Sequence, residues 1–203
     1  MRLRWIVACA LLALAACGRD ARHAPIAEGS TVLALGDSLT YGTGAPPQAS
    51  YPAVLAELTG WRVENAGAPG ETAAEICARL PALLDEHQPA LVLVLAGGND
   101  FLRRWPEAGV REALANCHAH ARNAAVPLAL LPVPRLGLGG VSDAPLYAEA
   151  ADALDVPLVD AGLADLLADA SMRADAVHLN AAGYRAMARR VAAGLADVGL
   201  LRR

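Results

Sequence analysis

A doubly wound α/β domain built on a parallel sheet of about five strands is the fold class this sequence predicts. Three observations predict it. Short apolar runs alternate with longer amphipathic segments along the chain. The runs are continuous, as in Leu91-Val92-Leu93-Val94-Leu95, which suits strands buried on both faces, the habit of parallel sheets. No sequence repeat, low-complexity tract or second domain breaks the pattern, and 203 residues suit one domain of ordinary size.

In chain order the strands are expected at 31–36, 61–65, 90–96, 127–131 and 157–160. The segments between and after them read as helices, at 50–59, 72–86, 110–123, 144–154 and 181–195. In a sheet of this kind ligands bind outside the carboxyl ends of the strands, so the site is expected in the loops that follow them.

The first thirty residues read as an address. Arg2 and Arg4 precede an apolar run over 5–16 that ends Leu14-Ala15-Ala16-Cys17. The run is short of the roughly 20 residues that cross a bilayer, and it has the layout of a secretory signal. Its last four residues resemble the bacterial lipoprotein signal, which implies cleavage after residue 16, lipidation of Cys17 and a membrane anchor there. An ordinary cleaved signal is the alternative. Residues 17–29 are polar and aperiodic, a linker, and 30–203 form the single domain. Gly18 resembles the outer-membrane type, so the expectation is a lipid-anchored, periplasm-facing protein of the bacterial cell envelope, at the outer membrane. Of the remaining cysteines, Cys9 leaves with the signal, whereas Cys77 and Cys117 either pair in an oxidising compartment or sit as small buried hydrophobes.

Composition excludes several chemistries. All 17 basic residues are arginine, so no Schiff-base lysine, pyridoxal phosphate lysine or P-loop lysine exists. A net charge of -4 without a basic block does not suit nucleic acid. His118 and His120, two apart on a helix, point to different sides and do not share a metal ion, so no metal site and no cofactor are expected. A monomer is expected.

The loops after strands hold the unusual residues. Gly36-Asp37-Ser38-Leu39 follows the first strand, and among five serines only Ser38 sits at a strand end beside glycine. At such a turn a hydroxyl is presented beside backbone N–H groups, as a nucleophile for acyl transfer needs, although a helix N-cap serine looks the same in four residues. Gly67 and Gly70 follow the second strand, where a glycine N–H can donate to an oxyanion or simply make a turn. Gly98-Asn99-Asp100 follows the third, its amide another donor or a cap. Asp175 stands three residues before His178, a spacing that lets a carboxylate hold one imidazole nitrogen while the other faces a nucleophile. A lone histidine is more often structural.

Taken together, these four blocks resemble the SGNH, or GDSL, hydrolase superfamily, closest to its bacterial periplasmic thioesterase, lysophospholipase and arylesterase type. The resemblance covers the whole mature domain and extends to Ala78-Arg79-Leu80-Pro81-Ala82-Leu83-Leu84. It implies a three-layer α/β/α, flavodoxin-like fold. It makes Ser38 the nucleophile, His178 the base and Asp175 its orienter, with the N–H of Ser38, the N–H of Gly70 and the amide of Asn99 as the oxyanion hole. Ala176 and Leu179 stand where glycine and proline are frequent, which bears on packing of the histidine loop. Asp37 and Asp100 are read as holding loops. Asp100, Phe101, Leu102 and Val133, with 136–138 beyond the fourth strand, are the expected substrate contacts, and Arg103 and Arg104 either meet an anionic headgroup or are solvated. The expected activity is hydrolysis of small acyl esters, lysophospholipids or acyl thioesters; the alternatives are a carbohydrate O-deacetylase and a binding lipoprotein without turnover.

Overall fold

The computed structural model describes residues 24–137, 140–142 and 144–202. The segment expected as a signal, and Cys17, lie outside the described residues. A parallel sheet forms the centre, from β1 (Thr31–Gly36), β2 (Arg62–Gly67), β3 (Leu91–Leu95) and β4 (Leu128–Leu130) in the order β2-β1-β3-β4. The segment expected as a fifth strand continues that order beside β4. It does so as a single bridge, Leu130 to Leu158, held by Leu130 N–H to Pro157 O (2.9 Å) and Val159 N–H to Leu130 O (2.8 Å). Every residue of β3 and β4 is buried, as their unbroken apolar sequence requires, whereas edge strand β2 is largely exposed.

Among the described residues five longer helices flank the sheet: α2 (Tyr51–Thr59), α3 (Ala73–His87), α5 (Glu107–Asn123), α6 (Leu146–Leu154) and α8 (Ala181–Asp197). Between them α1 (Ser38–Tyr41), α4 (Gly98–Leu102) and α7 (Leu163–Ala168) are single-turn or short pieces. A hairpin of β5 (Arg135–Gly137) and β6 (Gly140–Ser142) follows β4. Helix α3 packs on α5, α5 on α6, and α2 on α8, with the apolar faces of all five turned to one core. Helix α3 starts at a capping box, in which Thr72 and Glu75 satisfy each other's backbone N–H groups. Cys77 of α3 and Cys117 of α5 form a disulfide in the structure, Cα to Cα 5.0 Å, the paired one of the two alternatives left open by sequence.

Two glycines fix how the loops approach one another. A Cβ on Gly67 would strike the backbone of α1 at Tyr41, so β2 and the serine-bearing turn are this close because residue 67 has no side chain. Gly70 adopts φ +86, a left-handed conformation in which a side chain is strained even though space around it is open.

Candidate active site

Ser38 opens α1 directly after β1. Asp37 caps the helix, its Oδ1 accepting from Leu39 N–H at 2.9 Å, and its side chain is buried. Burial pushes the Asp37 carboxyl up to about 6, against the Leu39 N–H and the nearby His178, which pull it down, and with Asp100 adding to the rise. Asp37, not Ser38, is therefore the N-cap, and the half-buried Ser38 lines the cavity described below.

The histidine arrives from the other end of the chain. His178 Nε2 lies 2.9 Å from Ser38 Oγ and its Nδ1 lies 2.8 Å from Asp175 Oδ2. Asp175 Oδ1 accepts from Val177 N–H and His178 N–H, both at 2.8 Å, so one carboxylate oxygen shapes the loop while the other meets the ring. Slight burial would raise the Asp175 carboxyl, but the His178 ring and these two N–H groups together hold it below the usual range, and it stays ionised at neutral pH. The loop is tied to α8 through Asn180, which accepts from Gly183 N–H (3.0 Å) and donates to Ser171 O (2.8 Å). Leu179, at the position where proline is frequent, is buried in the core, so the departure is absorbed by packing.

A third loop is clamped from three sides. Asn99 Nδ2 donates to Glu71 O at 2.8 Å, which uses one of its two hydrogens and leaves the other for the cavity. Arg103 donates to Gly70 O at 2.9 Å. Arg79 donates through Nε to the Glu71 carboxylate (2.8 Å) and through Nη2 to Ala66 O (3.0 Å) and Gly36 O (3.4 Å), joining this loop to the ends of β1 and β2.

Ser38, Gly70, Asn99 and His178 all line one cavity of about 480 Å³. Phe101, Leu102 and Val133 line it too, as expected, with Leu39, Pro69, Pro134, Leu167 and Val177 completing its apolar walls. Asp100 does not line it. The expectation of a substrate contact there is corrected: its buried carboxylate accepts from Ala73 N–H at 2.8 Å and braces the start of α3, consistent with the loop-holding reading. Residue 138 lies outside the described residues. Leu167, on α7, and Val177, between the aspartate and the histidine, carry no signal in sequence beyond being apolar. Among the described residues no cluster of three or more histidine, cysteine, aspartate or glutamate side chains forms a metal site.

The fold and the site define a class, the ester hydrolases built on a flavodoxin-like sheet. The chain belongs to the GDSL-like lipase/acylhydrolase family, the SGNH hydrolases, whose profile matches residues 34–186. It is 34% identical over 163 residues to the thioesterase 1/protease 1/lysophospholipase L1 of Escherichia coli strain K12, which covers 76% of this chain and 77% of that protein. Its structure is similar to the crystal structure of TesA, with a TM-score of 0.73 and 28% identity over 83% of this chain and 99% of the other. The psychrotrophic esterase EstA from Pseudoalteromonas sp. shares the fold, with a TM-score of 0.74 at 22% identity over 83% of this chain and 97% of EstA.

Proposed function

We propose that this chain is a serine esterase that cleaves acyl esters and thioesters of apolar acyl groups, lysophospholipids among them, through an acyl-enzyme on Ser38. The observation that carries the reading is the line Ser38 Oγ, His178 Nε2, His178 Nδ1, Asp175 Oδ2, with steps of 2.9 and 2.8 Å, opening into an apolar cavity. In this mechanism Ser38 Oγ attacks the carbonyl carbon while its proton passes to Nε2. The negative charge that develops on the carbonyl oxygen is met by the N–H of Ser38, the N–H of Gly70 and the remaining N–H of Asn99. Collapse expels the alcohol or thiol, which takes the proton from Nε2; a water then repeats the sequence on the acyl-enzyme and releases the acid.

The names of the relatives support the same substrate range, esters and thioesters with lysophospholipids. A cavity of about 480 Å³ with apolar walls favours acyl chains over acetyl groups on a sugar. Hydrolysis of a p-nitrophenyl ester series from acetate to palmitate by the domain beginning after Cys17, beside Ser38→Ala, tests the reading. Activity that vanishes in Ser38→Ala and peaks above acetate supports it. Activity that survives the substitution, or no activity together with no fluorophosphonate labelling of Ser38, moves the protein to the binding reading.

Anchoring is part of the same proposal. Lipidation at Cys17 on the periplasmic face of the outer membrane is tested by fatty-acid labelling and membrane fractionation of the full chain against Cys17→Ala. A soluble, unlabelled wild-type chain overturns it.

A further inference from the structure

Of the arginines near the cavity, Arg103 and Arg135 are engaged elsewhere. Arg103 donates to Gly70 O and stacks on Trp105, its guanidinium 5.2 Å from the ring centre. Arg135 pairs with Glu107 and lies 5.6 Å from the Phe101 ring centre. Arg104 is different. It lines the cavity, it is exposed, and among the described residues its guanidinium has no carboxylate, carbonyl or ring partner. Apart from the imidazole of His178 it is the one basic side chain among those lining residues, and the walls beside it are apolar. Its backbone is also unusual, with φ +57, a conformation that glycine adopts freely and arginine only at a cost in strain. A glycine there would suit the turn better, so the turn does not explain the arginine.

We propose that Arg104 is a specificity residue that selects ester substrates carrying an anionic group, a phosphate or a carboxylate, beside their apolar acyl portion. The proposal rests on the reading that this cavity cleaves esters at Ser38. A guanidinium at the rim meets a phosphate or carboxylate through paired N–H donors, while the acyl portion lies along Phe101, Leu102 and Val133. Bond making and breaking remain at Ser38; Arg104 acts on which substrate is seated. Because the side chain is exposed, the effect is electrostatically screened and moderate in size.

The experiment compares matched substrates. A 1-acylglycerol and the same 1-acylglycerol 3-phosphate, both below their critical micelle concentrations, differ only in a phosphate. p-Nitrophenyl valerate and mono-p-nitrophenyl glutarate differ chiefly in a carboxylate. The readout is the ratio of kcat/KM for the anionic member over the neutral one, for wild type, Arg104→Gln and Arg104→Gly. Arg104→Gln removes the charge and keeps the strained backbone. Arg104→Gly removes both and should lose no thermal stability, so a lower ratio there does not come from unfolding.

The expected wild-type ratio is roughly tenfold in favour of the anion in at least one pair, falling with added salt and falling by about that factor in both variants. The pair that shows it identifies the group: phosphate points to a lysophospholipid headgroup, carboxylate to a small dicarboxylic half-ester. Neutral esters cleaved by the wild type with no anionic preference in either pair, or a preference that both variants keep, overturns the role of Arg104 and leaves the esterase intact. Failure to cleave any of the four substrates overturns the esterase and this inference with it.

Discussion

Asp175→Asn isolates the proton geometry of the site from its shape. In the native loop Oδ1 accepts two backbone N–H groups at 2.8 Å and Oδ2 faces His178 Nδ1 at 2.8 Å. An asparagine keeps an oxygen for the two N–H groups and turns its NH2 toward Nδ1. A donor now faces the ring, so Nδ1 must accept and the ring proton moves to Nε2. At 2.9 Å from Ser38 Oγ, Nε2 then donates where it has to accept, and the hydroxyl cannot be deprotonated. In a fully buried triad this change of tautomer is worth about 10⁴ in kcat. Here the aspartate side chain is 53% exposed, so water supports part of the imidazolium charge, and the expected loss is nearer 10³, about 4 kcal/mol. The assay is p-nitrophenyl ester hydrolysis with the thermal midpoint measured beside it; the midpoint should hold, because the loop's backbone bonds survive. Asp175→Asn retaining kcat within about tenfold of wild type would mean that His178 is oriented by something other than this carboxylate.

Three further outcomes are expected. Asn99→Ala removes the proposed oxyanion donor and one of the three clamps on the Gly70 loop, and should lower kcat by about 10² or more with KM changed much less; unaltered turnover in steady-state kinetics would remove Asn99 from the site. Replacing Cys77 and Cys117 together by alanine opens a covalent loop of sequence separation 40, which on loop entropy costs about 4 kcal/mol, read as a lower urea midpoint; an unchanged midpoint would show that the bond does not form. Asp37 carries a folded-state value of about 6 against an ordinary 3.8, so the folded protein holds its proton more tightly than the unfolded chain. That contribution is complete below about pH 4 and is lost as pH rises through about 6. Asp37→Asn should therefore gain about 3 kcal/mol relative to wild type between those limits, and urea titrations giving the same difference at both would contradict the buried charge.

What the sequence made legible and what it hid follow from range. Ser38, the glycine and asparagine turns and Asp175 with His178 stand at strand ends or before a helix, so local pattern located them. The long helices carried their period over ten or more residues. Helices α1, α4 and α7 are too short to show one, and the hairpin after β4 has three-residue strands. The last strand fell short because Pro157 and a short run allow one bridge and no ladder. Arg79 was visible only as part of a resemblance. Its role lies in contacts to backbone carbonyls 13 and 43 residues away, and carbonyls leave no mark in a sequence. Asp100 misled for the opposite reason: adjacency in sequence to Asn99 suggested adjacency to substrate, but one residue along a helix turns the side chain by about 100°, here away from the cavity and toward α3.

The separation of Ser38 from His178 by 140 residues has a consequence in time. A chain that folds from its amino end can form the strand and turn of Ser38 before His178 is in place. His178 comes into place when α8 lays itself on α2 and Tyr184 reaches back to Thr43 O at 2.8 Å, just beyond the serine turn. Until the last helix docks, the chain carries a hydroxyl like any other. On the proposed mechanism hydrolytic competence is thus acquired at the end of folding, and a chain cut short before residue 175 carries all four paired strands in its sequence yet is chemically silent.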